Sequence, residues 1–326
     1  MTGSALSIDT VDLASETAAT DLERSLRATG FVQLVGHGLN SERQKAFRDI
    51  VGEFFELDLE VKSRYIHPES AANRGYRSKG SEALAYSLGE ESPPDLFESF
   101  NAAPDPESVS LLQQTTPWPD DVVPEFSTIV CEQFAEFAAL SQRLDKLIGE
   151  VIGAQWLAGR SGSGPDMLAS IRYSPGPDGA EEVIAGQQRM GAHSDYSTFT
   201  ILDADPVPGL QIVGPDNEWV DVIPDEGALL MNVGDLLAIL TNNAWPSTLH
   251  RVVPMSAGSA PFRRSAAFFH YPNLDVEIST LEAFITDDNP ASYVPVVVGE
   301  HLKDKFVAPK DKIKSTSAMT KAGRAT

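Results

Sequence analysis

The sequence predicts a mainly β fold with flanking helices, built around a double-stranded β-helix (jelly-roll) core. Three observations carry that prediction. From Met167 onward, short β-runs recur at 167–173, 190–193, 198–203, 209–213, 218–223, 227–232, 248–253 and 263–271, separated by Gly, Pro, Asp and Asn. About eight antiparallel-style strands in about a hundred residues suit a double-sheet jelly roll. The first half carries apolar residues at helical spacing instead, and neither a clean linker nor an internal repeat divides the two halves. One domain over 1–326 is therefore expected: a helical and irregular region at 1–160, the jelly-roll core at 167–273, and a C-terminal region with its tail at 274–326.

Taken in order, residues 6–13 alternate enough for a short strand, and 20–29 form a polar helix closed by Gly30, a good residue for the left-handed turn after a helix. Phe31–Val35 reads as a strand ending in the Gly36-His37-Gly38 turn, where His37 is a structural or surface residue. Across 41–63, Phe47, Ile50, Val51, Phe54, Phe55 and Leu57 give one apolar helical face. Pattern fades from Pro68 to Pro119, and so long an irregular segment in a compact enzyme often borders the active site. Pro124 opens the longest helix, whose 3.6-residue period runs from Phe126 to about Ile152 and props one face against a sheet. Within the β half, 235–241 reads as a short helix ending at Asn242-Asn243. Five basic residues against one acid after Pro309 (Lys310, Lys312, Lys314, Lys321 and Arg324 against Asp311) mark a frayed tail.

Charge narrows the partners. Lys+Arg is 25 and Asp+Glu is 47, a formal net charge of −22 that repels phosphate backbones and anionic bilayers. A small-molecule substrate is expected, with neither nucleic acid nor membrane. The single cysteine, Cys131, rules out an intrachain disulfide framework and reads as a structural thiol within a helix; cytoplasmic location is the expectation.

The chemistry concentrates between Arg189 and Ser265. H-S-D places His193 and Asp195 two residues apart at a strand end, and His250 follows in a later β-run. Two imidazoles and a carboxylate suit an octahedral ion such as Fe(II) and leave about three positions open. Arg263 and Ser265, spaced i, i+2 on a strand, point the same way, and a guanidinium beside a hydroxyl is a carboxylate receptor. Ala267 and Phe269 share that parity, so Phe269 faces the pocket while His270 and Arg264 face away. Arg251 is read as a structural ion-pair partner, and Asn232 and Asp235 as turn-forming residues. No nucleophile elbow, P-loop, dinucleotide fingerprint, C-x-x-C or H-E-x-x-H is present.

These residues resemble a known family. V-D-L (11–13), G-F-V-Q-L-V-G-H-G-L (30–39), R-G-Y (74–76), I-R-Y-S-P (171–175), G-A-H-S-D-Y (191–196), N-V-G-D (232–235), S-T-L-H-R-V-V (247–253) and R-R-S-A-A-F-F (263–269) are similar to the isopenicillin N synthase-like branch of the non-haem iron(II), 2-oxoglutarate-dependent dioxygenases. The resemblance implies that His193, Asp195 and His250 are the Fe(II) ligands and that Arg263 and Ser265 bind the distal carboxylate of 2-oxoglutarate. It also places Tyr173 where a tyrosine often reaches the cosubstrate, although plant members often carry Asn where this chain has Ile171. An enzyme of this kind uses O2 to oxidise a small molecule by hydroxylation, desaturation or ring closure, releasing succinate and CO2. Two other readings stand beside it. One is an oxidase of the same fold that takes no 2-oxoglutarate, as in isopenicillin N synthase or an ethylene-forming relative; the other is a metal-binding jelly roll without redox work. Residues that choose the substrate are expected in 68–119, around Phe199 and near the C-terminus.

Overall fold

A computed structural model describes residues 8–69, 73–88, 92–174, 183–254 and 262–305. The N-terminal region runs β1 (Thr10–Asp12), α1 (Ala18–Thr29), β2 (Phe31–Val35), α2 (Ser41–Glu56), α3 (Leu59–Ser63), β3 (Gly75–Arg77), β4 (Glu98–Ala102) and α4 (Phe126–Ile152). The β half follows with β5 (Met167–Tyr173), β6 (Met190–His193), β7 (Phe199–Ala204), β8 (Leu210–Val213), β9 (Trp219–Asp221), β10 (Leu229–Val233), α5 (Asp235–Leu240), β11 (His250–Val252) and β12 (Arg263–His270). The chain closes with β13 (Glu277–Ile278), β14 (Val296–Val297) and a helical stretch at 298–305. The basic tail after Pro309 lies outside the described residues.

Eight strands form the large sheet in the order β1-β2-β10-β7-β12-β5-β4-β3, and four form the smaller one in the order β6-β11-β8-β9. All pairs in both are antiparallel except β1 with β2. This is the jelly roll the β-runs predicted, with a correction to its extent. Half of the large sheet comes from the N-terminal region, because β1, β2, β3 and β4 are its outer strands. Two of them, β3 and β4, lie inside the 68–119 segment that carried no readable pattern.

Alternation divides the large sheet into two faces, each with its own core. Met231, Ile201, Phe268, Leu168 and Phe100 point to the helices, and Phe137 of α4 stacks on Phe268 with ring centroids 5.6 Å apart. Burying each such side chain stabilises the fold by roughly 1.5–3 kcal/mol. Leu230, Ala267, Ala169 and Ile171 point the other way, toward the small sheet and its Leu210, Ile212 and Val252. The helix at α4 is thus the outer prop its period predicted.

Local chemistry sets the ends. Asn40 caps α2 by accepting from the backbone N–H of Glu42 and Arg43. Gly30 ends α1 at φ 69°, and a Cβ there would lie 2.2 Å from the Pro246 carbonyl oxygen, so only glycine fits. The single helix expected over 41–63 breaks at Leu57, whose backbone is extended, into α2 and α3. Among the described residues, no helix is long and apolar enough to cross a membrane.

Candidate active site

The inward face of the large sheet and the facing small sheet enclose a cavity of about 250 Å³. Register decides which side chains reach it. On β12, Arg263, Ser265, Ala267 and Phe269 line the cavity, opposite Tyr173, Ile171, Ala169 and Met167 of β5. Arg264, of opposite parity, turns outward and pairs with Asp205 at 3.2 Å. His270 is likewise outside, buried between Asp145 at 2.9 Å and Asp166 at 3.1 Å.

His193 ends β6 and His250 opens β11, and the two are direct partners in the small sheet. Their rings lie 4.3 Å apart, with Phe31 set edge-on to His250. Each ring is aimed by its own strand. His193 Nδ1 bonds the Gly191 carbonyl at 2.8 Å, and His250 Nδ1 bonds the Thr248 carbonyl at 3.1 Å. A carbonyl only accepts, so both Nδ1 atoms carry the proton and both Nε2 lone pairs are left for a ligand. Each Nε2 is 3.8 Å from Asp195 Oδ1. The other carboxylate oxygen, Oδ2, is occupied, accepting from Thr200 Oγ1 at 2.6 Å and Asn232 Nδ2 at 2.7 Å.

One nitrogen from each imidazole and one carboxylate oxygen therefore converge, all within 4.8 Å of one another. That donor set fits a divalent iron held by one face, with the opposite face open to the cavity. Burial, then the neighbouring His250, push His193 down to about 4, so the ring is neutral as a ligand must be. Burial alone would raise Asp195, but His250 and His193 with the bonds from Asn232 and Thr200 hold it below the usual carboxylate range.

The loop carrying these ligands is held by backbone bonds. Asp235 N donates to the Asp195 carbonyl at 2.7 Å, Gly234 N to Thr198 O at 2.9 Å, and Leu236 N to Ser197 O at 3.1 Å. Gly234 sits so close that a Cβ would lie 2.1 Å from Ser197 O.

Deeper in the cavity, Arg263 is 1% exposed and, among the described residues, its Nε and Nη2 have no hydrogen-bond partner. Its Nη1 donates to Ser265 Oγ at 3.4 Å. An unpaired guanidinium this deep is costly unless an anion meets it. Beside it stands Tyr173, its ring 5.3 Å from the guanidinium carbon and its hydroxyl 3.7 Å from Met190 Sδ. Arg263, Ser265 and Tyr173 thus form one corner, fit for a carboxylate.

Other expectations need correction. Asn232 is no turn-former: it lies in β10 between Phe31 and Thr200 and orients Asp195. Asp235 opens α5 and accepts from Ser247 and Lys305. Among the described residues Arg251 forms no ion pair; it bonds Gln211 at 2.9 Å and stacks 4.0 Å over Trp219. Phe199 packs on His270, away from the cavity, whereas its neighbours Thr200 and Leu202 line it. His37 bonds the Gly227 carbonyl, and Cys131 is half-buried on α4. The 68–119 segment does reach the cavity, through Asn73, Arg77, Phe97 and Asn101 among others, as does Lys305 near the C-terminal end. Thr200 carried no signal on its own, because its role appears only when the fold brings its hydroxyl to the Asp195 carboxylate.

Comparison with known proteins agrees with this geometry. The model of the 2OG-Fe(II) oxygenase superfamily matches residues 165–272, and that of the non-haem dioxygenase in morphine synthesis N-terminal region matches 6–121. A 2-oxoglutarate-Fe(II) type oxidoreductase of Aspergillus fumigatus is 30% identical over 284 residues, covering 83% of this chain and 81% of the relative. Homoarginine-6-hydroxylase of Arabidopsis thaliana is 26% identical over 312 residues, covering 92% and 84%. A full-length Neurospora crassa protein crystallised with alpha-KG superposes with a TM-score of 0.81 at 25% identity, covering 92% of this chain and 95% of that one.

Proposed function

This chain belongs to the 2OG-Fe(II) oxygenase superfamily and is an iron- and 2-oxoglutarate-dependent dioxygenase, in which we propose that His193, Asp195 and His250 hold the iron while Arg263, Ser265 and Tyr173 receive 2-oxoglutarate. The observation that carries the assignment is the set of atoms left over by internal bonding. Two Nε2 atoms and one carboxylate oxygen face one point, and a buried guanidinium with unpartnered nitrogens faces the same cavity.

Iron and 2-oxoglutarate, when bound, supply the oxidising chemistry, turning O2 and the 2-oxo acid into succinate, CO2 and an oxidised substrate. The protein's share is placement. Thr200 and Asn232 keep Asp195 Oδ2 occupied, so Oδ1 is the oxygen presented. Arg263 offers a planar fork to a distal carboxylate, a two-point fit that lysine cannot reproduce. Ser265 extends that contact by one hydroxyl, and Tyr173 walls the corner against water. Phe31, Met190 and Phe269 keep the cavity dry, which strengthens each charged contact inside. The substrate is a small molecule, as homoarginine is for one relative, and the work is cytoplasmic.

Anaerobic titration of the iron-loaded protein with 2-oxoglutarate tests the reading. A saturable visible charge-transfer band is expected, lost when His250 is replaced by Ala. A protein that binds 2-oxoglutarate equally well without iron, or not at all, would overturn it.

A further inference from the structure

The cavity has a second polar corner, on β3, β4 and the residues just before β3, that the iron and 2-oxoglutarate sites leave unused. Asn73, Arg77 and Asn101 all line it. Arg77 Nη2 donates to Asn73 Oδ1 at 3.3 Å, and Asn101 Nδ2 donates to the same oxygen at 2.9 Å. A guanidinium cannot accept, so the Asn73 atom facing Arg77 must be its oxygen; the Asn101 atom facing that oxygen must then be its amide nitrogen. Arg77 is itself steadied by Glu82 at 3.2 Å. Two donors thus pin one oxygen, and the Asn73 amide N–H group is turned away from both. It meets no acceptor among the described residues, although the side chain lines the cavity and is only half-buried.

Register gives the reach. Asn101 pairs with Ala169, Ala169 with Ala267, and Ala267 with Leu202, two residues from the Thr200 that orients Asp195. Three strand steps of about 4.8 Å make roughly 14 Å along the sheet, and less across its curve. The wall between is apolar, formed by Met167, Ala169, Leu84, Phe97 and Phe269.

We propose that Asn73 selects the substrate, its pinned amide N–H donating to a carbonyl-type oxygen at one end of a mainly apolar molecule whose other end lies over the metal. This rests on the dioxygenase reading above, which places the reacting end. Such a substrate is an aryl- or alkyl-bearing carboxylate, amide or ketone. A molecule without an acceptor at its far end would displace water from the Asn73 N–H without replacing its bond, and binds more weakly for that reason.

Asn73→Asp is the sharp test. It keeps the oxygen that Arg77 and Asn101 hold and replaces the donor with a second oxygen. Wild type and N73D, both loaded with Fe(II), are first titrated anaerobically with 2-oxoglutarate, and equal affinities are expected. Calorimetry on these complexes then uses 3-phenylpropanoate, 3-phenylpropanamide and propylbenzene as probes. Wild type should bind both carbonyl probes at least about tenfold more tightly than propylbenzene, the worth of one hydrogen bond to a good acceptor. N73D should erase that preference, most completely for the carboxylate. Asn73→Ser, which removes the amide altogether, should show the same loss and guards against a misfolded N73D. Failure of wild type to bind 2-oxoglutarate would sink the dioxygenase reading instead. If 2-oxoglutarate binds both proteins and wild type shows no preference for the carbonyl probes, or N73D retains one, Asn73 does not select.

Discussion

Two buried clusters of histidine and carboxylate lie on opposite sides of the large sheet, and they are built to opposite ends. In His193–Asp195–His250 every ligand has one atom tied to the protein and one left over. In Asp145–His270–Asp166 both ring nitrogens are engaged by carboxylates, Ser161 adds a bond to Asp145, and the Tyr271 N–H adds one to Asp166. Charge follows the bonding. Burial depresses His193, whereas at His270 burial is outweighed by Asp166 and Asp145, which raise it to about 10. Residue type and burial are therefore poor guides to function; what separates the clusters is that His270 spends both ring nitrogens while His193 and His250 each keep one, even though Asp145 Oδ1 has no partner among the described residues.

Substitutions can break that contrast. The largest effect is expected for His250→Ala, which should abolish iron uptake and the 2-oxoglutarate band while leaving the metal-free protein folded by circular dichroism. Next comes His270→Leu, which strands two buried carboxylates and should cost about 3–5 kcal/mol in denaturant unfolding, with 2-oxoglutarate affinity retained in the folded fraction. The same cluster predicts a pH dependence. His270 has a folded pKa raised above its unfolded value of about 6.5, so its contribution is full below that pH and is lost as pH rises through about 10. Wild-type melting temperature should fall over that window more steeply than that of His270→Leu. If the two curves are parallel, the charged-histidine account is wrong.

Smaller effects sharpen the comparison within the cavity. Arg263→Ala should raise the 2-oxoglutarate dissociation constant by roughly one to three decades, since truncating one partner of a buried charge pair costs about 2–5 kcal/mol. Asn232→Ala, which frees Asp195 Oδ2, should weaken iron binding by about 10- to 100-fold. Arg264→Ala removes only a half-exposed pair with Asp205, worth about 0–1 kcal/mol, and should leave cosubstrate affinity unchanged. Equal losses at Arg263 and Arg264 would contradict the register on which the site rests.

Much of this was legible in the chain before its fold. The runs at 167–173 and 190–193 coincide with β5 and β6, and parity alone separated Arg263 from Arg264 and Phe269 from His270. Legibility ended where polar residues interrupt the apolar pattern. In β3 and β4, Arg77 and Asn101 take inward positions that an ordinary strand fills with apolar residues, so the alternation vanished and both strands went unread. Asn232 misled because asparagine favours turns unless the fold sets a partner such as the Asp195 carboxylate beside it. Phe199 was a matter of face: Thr200 and Leu202 point inward, so Phe199 could not.

The close seat of Gly234 against Ser197 has a thermodynamic corollary. Because Asp235, Gly234 and Leu236 already bond the ligand loop through its backbone, capturing an ion orders nothing. Iron uptake should then show a small heat-capacity change and no gain of secondary structure, and the rise in melting temperature should follow ligand mass action alone. Any residue larger than glycine at 234 would turn that uptake into an induced fit, slower to load and slower to release.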